Sequence, residues 1–166
     1  MGRHWVFFLI TFLTVSGVGI ANDTCAHDAT TFRCVKFIRN YDGDTITFQI
    51  PNVHPLLGHN ISVRVLGLDT PEIKGKLPCE KDAARTAKRL IENLLKNGKV
   101  IHIENVARDK YFRILGNVVV DGQSLQTVLL KNGLAYEYQG QTKQKIDWCT
   151  FGKQRSTATD GKKDNP

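Results

Sequence analysis

Beyond residue 21 the sequence has no apolar run long enough to cross a bilayer, which excludes a helical span in that stretch. Its four cysteines contain no Cys-x-x-Cys pair, and its histidines no His-x-x-His, so zinc-finger and zinc-ribbon spacings are absent. No internal repeat is present, which sets aside solenoids and propellers. Acidic residues are in the minority, 16 against 23 Lys and Arg, for a formal net charge of +7. Such a surface attracts polyanions, but a generic basic domain has the same balance, so charge alone decides nothing.

What is present begins with a leader. Arg3 and His4 precede an apolar run over residues 5–15, and Gly19, Ile20 and Ala21 offer a small-x-small site ahead of Asn22. This is the layout of a cleaved secretory signal peptide over residues 1–21; the competing reading is a membrane anchor, for which the run is short. Cleavage leaves about 145 residues, enough for one domain with a core. The expected product is secreted or periplasmic, monomeric, and without stable membrane association. An exported chain with Cys25, Cys34, Cys79 and Cys149 is expected to form two disulfides. Of the three connectivities open to four cysteines, we expect Cys25–Cys34 and Cys79–Cys149, the second tying the tail to the domain.

The organisation expected is an N-terminal extension over 22–33, a domain over 34–149 and a polar, disordered tail over 150–166. Residues 34–39, 45–50, 61–68, 99–106 and 114–120 alternate or run apolar as strands do. Residues 51–60, with two prolines, read as a loop. Ala83, Ala84, Ala87, Leu90, Ile91, Leu94 and Leu95 recur at helical spacing, with Asn97-Gly98 as a stop. Leu125, Val128 and Leu129 mark a second, shorter helix, and residues 134–138 a last brief strand. Five short strands with helices inserted late predict an α+β domain whose sheet is closed or nearly closed into a barrel.

Two acidic turns fall where strand alternation gives out. Asp42-Gly43-Asp44-Thr45 lies between the first two strands, and Asp69-Thr70-Pro71-Glu72 ends the third. Either alone reads as an ordinary turn. Together, if the strands are neighbours, they crowd carboxylates at one rim, which is unfavourable unless a cation or protons offset the repulsion. Arg64, on the strand leading to Asp69, and Arg113, after the turn at Asp109, add groups that grip phosphate oxygens in pairs.

In order and spacing these motifs resemble the staphylococcal nuclease (thermonuclease) family. The similarity runs from about Val35 to Tyr138, through Asp42 to Thr45, Arg64 to Glu72, Asp109 to Arg113 and Asp121 to Ala135. The resemblance implies an OB-type five-stranded β-barrel with two or three flanking helices. It implies Ca²⁺ held by Asp44, Asp69 and the backbone carbonyl of Thr70, with Asp42 behind them; Mg²⁺ and Mn²⁺ are weaker alternatives. It further implies Glu72 as general base and Arg64 and Arg113 as phosphate-binding arginines, with Lys110, Tyr111, Tyr136 and Tyr138 toward the substrate. The implied activity is endonucleolytic hydrolysis of DNA and RNA, preferring single strands and leaving 3′-phosphate ends.

The sequence departs from the family pattern in places. Phe112 stands where the best-known members have glycine, which bears on the placement of Arg113. The loop over 73–78 is short, and the usual long final helix has little apolar periodicity over 141–151; Cys79 and Cys149 would supply covalently what that helix supplies by packing. Two rival readings are a non-catalytic OB-fold nucleic-acid-binding module and a secreted structural or calcium-binding domain. A pure binder would have no need to hold repelling carboxylates together, and a calcium module no need for the two arginines.

Overall fold

Alternating apolar residues build the sheet in a computed structural model that describes residues 25–109 and 113–152. Residues 1–24 (the leader among them), Lys110, Tyr111, Phe112 and residues 153–166 lie outside the described residues. Strands β1 (Lys36–Asn40), β2 (Thr45–Gln49) and β3 (Ile61–Val65) form an antiparallel meander. The short helix α1 (Pro55–Gly58) sits inside the segment expected to be loop throughout. Ile46, Phe48, Val63 and Val65 point to one face and are essentially inaccessible; burying each such side chain is worth about 1.5–3 kcal/mol.

The expected strand over 61–68 is two strands. Gly67 takes a left-handed φ of 81°, which turns the chain, so that β4 (Leu68–Asp69) leaves the main sheet. It pairs instead with β8 (Tyr136–Glu137). Helix α2 (Pro78–Asn97) starts with proline in its first turn, carries Glu80 there and Lys96 in its last, and buries Ala84, Ala87, Ile91 and Leu95. It ends at Asn97 as the sequence predicts, but not through a left-handed glycine. Gly98 has φ −68°, and a Cβ there would fall 2.2 Å from Val120 Cγ1. Close packing, not backbone freedom, requires that residue.

Strands β5 (Ile101–Arg108) and β6 (Ile114–Val120) form a hairpin, β7 (Gln123–Ser124) returns on β6, and α3 (Leu125–Lys131) covers the core with Leu125, Val128 and Leu129. The main sheet runs β1-β2-β3-β6-β5, with β7 off this path on β6. The β3–β6 pair is parallel and the other pairs antiparallel. The α+β class stands; the named strands follow an open path that does not by itself close a five-stranded barrel. The chain ahead of β1 nevertheless reaches β5. The Phe32 and Ile103 amides each donate to the other's carbonyl at 2.8 Å, and the Val35 amide donates to Ile101 at 3.0 Å. Cys34, at φ 53°, breaks this segment from β1, so the two do not form one continuous strand.

Both expected disulfides are present, Cys25–Cys34 and Cys79–Cys149. The second closes a separation of 70 residues, for which chain-entropy arguments give about 4 kcal/mol. A helical turn over 148–152 follows Asp147, whose carboxylate accepts from the Cys149 amide at 3.0 Å. No helix among the described residues is long and apolar enough to cross a membrane.

Candidate active site

The topology explains why the two acidic turns meet. Strand β2 begins at Thr45, directly opposite Arg64 near the end of its antiparallel partner β3. The turn before β2 and the chain leaving β3 therefore share one rim. The Asp42 Oδ1 atom accepts from the amides of Asp44 (3.1 Å) and Thr45 (2.8 Å), folding the turn back on itself. Gly43 lets this turn lie against its neighbours, since a Cβ there would be 2.9 Å from that of Ala87 and 3.0 Å from Thr70 Cγ2. The Val65 amide donates to the Asp44 carbonyl at 2.8 Å, and the Thr70 amide to Asp44 Oδ2 at 3.1 Å.

Arg64 lies between the two buried aspartates. One guanidinium nitrogen donates to Asp44 Oδ1 at 2.9 Å and the other to Asp69 Oδ1. Both aspartates are almost fully buried, and Asp42 and Thr70 nearly so. Tyr136, cross-strand from Asp69, donates its hydroxyl to Asp69 Oδ2 at 3.2 Å. Among the described residues, no buried side-chain nitrogen or oxygen lacks a hydrogen-bond partner.

Positive charge does not balance this cluster. Burial, then the neighbouring Asp42, push the Asp44 carboxyl up to about 7; Arg64 opposes the shift and Asp69 adds to it. Burial works against the Arg64 guanidinium, but Asp44 and Asp69 outweigh it and raise its pKa further. Burial followed by Asp69 likewise raises the Tyr136 hydroxyl, keeping it a donor.

A cavity of about 410 Å³ opens over this rim, lined among others by Asp42, Arg64, Glu72, Arg113, Tyr138 and Lys143. Glu72 is half-exposed at its edge, 3.0 Å from Lys143 Nζ. Arg113 closes the turn between β5 and β6: its amide donates to Asp109 Oδ1 at 2.9 Å and its Nε to Asp109 Oδ2 at 2.7 Å. A second cavity of about 250 Å³ shares Arg64, Arg113 and Tyr138 and is otherwise largely apolar, with Leu66, Leu68 and Leu115 in its wall.

Asp42, Asp44, Arg64, Asp69, Thr70, Glu72, Arg113, Tyr136 and Tyr138 are thus gathered at one rim, whereas Lys110 and Tyr111 lie outside the described residues. The two tyrosines differ: Tyr138 lines both cavities, while Tyr136 is buried against Trp148 at a ring distance of 6.0 Å and is bonded to Asp69. The sequence pattern does not mark Lys143. It comes from the polar segment after β8, where neither periodicity nor a motif marks it, and its ammonium is 3.0 Å from both Asp69 Oδ1 and Glu72 Oε1. Partial burial opposes its charge, but its bonds to Asp69 and then Glu72 raise its pKa.

Among the described residues no group of three His, Cys, Asp or Glu side chains is already gathered around a metal position. The rim nevertheless offers only oxygen donors on its acidic side. Asp42, Asp44, Asp69 and Glu72 face Arg64 and Lys143, and this surplus of negative charge adds to burial, the larger cause, in raising the Asp44 carboxyl. Hard oxygen donors in surplus suit a divalent cation of the Ca²⁺ or Mg²⁺ type.

Fold and site together define an α+β protein with a mixed-charge pocket fitted to phosphate chemistry. Comparison with known proteins is consistent with this. The family described as Staphylococcal nuclease homologue matches residues 62–164, and the chain belongs to that family. It is 40% identical over 115 residues to endonuclease YncB of Bacillus subtilis, covering 66% of this chain and 51% of that protein. It is 39% identical over 115 residues to the SPbeta prophage-derived endonuclease YokF of Bacillus subtilis, covering 66% of this chain and 36% of that protein. It is 32% identical over 93 residues to the staphylococcal-like nuclease CAN1 of Arabidopsis thaliana, covering 56% of this chain and 26% of that one. The alignments thus span about half or less of these relatives' own lengths.

Proposed function

We propose that the chain is an exported, Ca²⁺-dependent endonuclease that hydrolyses phosphodiester bonds in DNA and RNA, acts best on single strands and leaves 3′-phosphate ends. The observation that carries this reading is the placement of Arg64 between Asp44 and Asp69, with Glu72 and Arg113 lining the same cavity. Relatives named as endonucleases and nucleases support it. Two disulfides and the leader sequence support export. The bridge from Phe32 to Ile103 supports reading the sheet over residues 34–149 as a nearly closed OB-type barrel, with the segment ahead of it reaching β5.

Asp44, Asp69 and the Thr70 carbonyl would hold the cation, with Asp42 fixing the turn behind them. When bound, a hard divalent ion supplies charge neutralisation at the scissile phosphate. Arg64 and Arg113 grip its non-bridging oxygens as negative charge redistributes over them. Glu72, half-exposed at the mouth, takes the proton from the attacking water. The apolar cavity beside Tyr138 accommodates a base, so that contacts fall on phosphate, sugar and one stacked ring, which tolerates either sugar and favours unpaired strands. Nothing in this scheme needs a second subunit, so we take the active form to be a monomer.

The purified protein is expected to degrade denatured DNA with Ca²⁺ and to stop on chelation. Retention of DNA without hydrolysis under any of Ca²⁺, Mg²⁺ or Mn²⁺ would instead establish the non-catalytic binding module.

A further inference from the structure

Lys143 reaches the cavity on a segment with almost no regular structure of its own. Residues 139–147 are bends and coil, and nearly all are exposed. Both ends are nevertheless fixed. At the near end β8 pairs with β4, and the Tyr138 amide donates to the Gly67 carbonyl at 3.1 Å. At the far end the Cys79–Cys149 disulfide ties the chain to the start of α2, and Trp148 lies against Tyr136. The segment is a strap drawn across the acidic rim. Among the described residues, Lys143 is the one ammonium lining the cavity.

Its contacts are those that a bound cation would make. The Nζ atom is 3.0 Å from Asp69 Oδ1, a buried oxygen already accepting from Arg64, and 3.0 Å from Glu72 Oε1. A lysine held only to a half-exposed Glu72 would be a weak surface pair. Bonding to the buried Asp69 as well gives it a fixed position, and it draws the Glu72 carboxylate toward the aspartate cluster.

Building on the nuclease reading, we propose that Lys143 is a positioning residue with two effects: it orients Glu72 for attack, and it competes with the divalent cation for Asp69. The strap thus carries a tethered counter-ion. Any cation bound at Asp69 displaces the ammonium or shares the carboxylate with it, so the affinity of the site is set below what its carboxylates alone would give. Displacement leaves Lys143 at the cavity wall, within reach of an incoming phosphate.

The test is calorimetric titration of the purified protein with Ca²⁺ alone, without substrate. Lys143→Met is expected to bind Ca²⁺ about three- to tenfold more tightly than the unmodified protein, since a charge in contact with the site has been removed. The same variant is expected to lose roughly tenfold in kcat on denatured DNA, with KM changed less. Lys143→Arg, which keeps the charge, is expected to restore the original Ca²⁺ affinity. The Lys143 side chain is half-exposed, so neither variant threatens folding. An unchanged or weaker Ca²⁺ affinity in Lys143→Met overturns the proposal, as does failure of either protein to bind Ca²⁺ or Mn²⁺. The nuclease reading fails separately, if the unmodified protein does not hydrolyse DNA.

Discussion

The inner face of the sheet and its acidic rim are buried to similar degrees but by opposite chemistry. On the inner face Ile46, Phe48, Val63 and Val65 exclude water with apolar surface alone. At the rim, one strand-end away, Asp42, Asp44 and Asp69 are as hidden but depend on Arg64, Lys143 and backbone amides for partners. The inner face stabilises the fold at no cost to itself. The rim retains repelling carboxylates, as functional sites do, and the surrounding structure offsets that strain.

The sharpest way to break the comparison is to remove chemistry without touching packing. Glu72→Gln is expected to lower the rate on denatured DNA roughly a thousandfold, with an unchanged melting temperature, because the side chain is half-exposed. Normal cutting by this variant would disqualify Glu72 as the base. The opposite experiment is Phe48→Ala, which empties a fully buried position and is expected to cost about 3–5 kcal/mol in denaturant unfolding. Activity per folded molecule should persist; its selective loss would show that rim and core are not separable.

Arg64→Lys keeps a charge but not the fork that reaches both aspartates. A loss of about a hundredfold in kcat/KM is expected, with a lower Tm because one buried carboxylate loses its guanidinium partner. The smallest effect concerns the strain itself. The Asp44 carboxyl is pushed up to about 7, above its unfolded value, chiefly by burial. The folded state therefore binds the extra proton, so this contribution is fully present below the ordinary carboxylate range and is lost as pH rises through about 7. In chelator, thermal unfolding should fall in temperature between pH 5 and pH 8. Asp44→Asn should flatten that slope and stabilise the protein at pH 8 by roughly 1 kcal/mol. A slope that persists in the variant would assign the effect to another group.

Much of the fold was legible because its signals are local. Strand alternation at Thr45–Gln49 and the apolar stripe of Pro78–Asn97 were readable residue by residue. Errors gathered where a backbone angle overrode pattern. Gly67 and Cys34, both at positive φ, cut one expected strand in two and kept the sheet path open. The cysteine pairs were expected and found, since the pairing of Cys25 with Cys34 is a short-range matter and leaves only one partner for Cys79.

By itself the sequence determined which side chains could do phosphate chemistry and that they stand at strand ends; that they share a rim depended on β2 and β3 being neighbours, which the structure supplies. Only the tertiary structure decided how they divide the work: Arg64 shared between two aspartates, Tyr136 bound inward while Tyr138 lines the cavity, and Lys143 delivered from beyond β8. The reason is range. Periodicity and turn chemistry act over a few residues, whereas the Lys143–Glu72 contact joins positions 71 residues apart and exists only because strand pairing and a disulfide bring the strap back across the site.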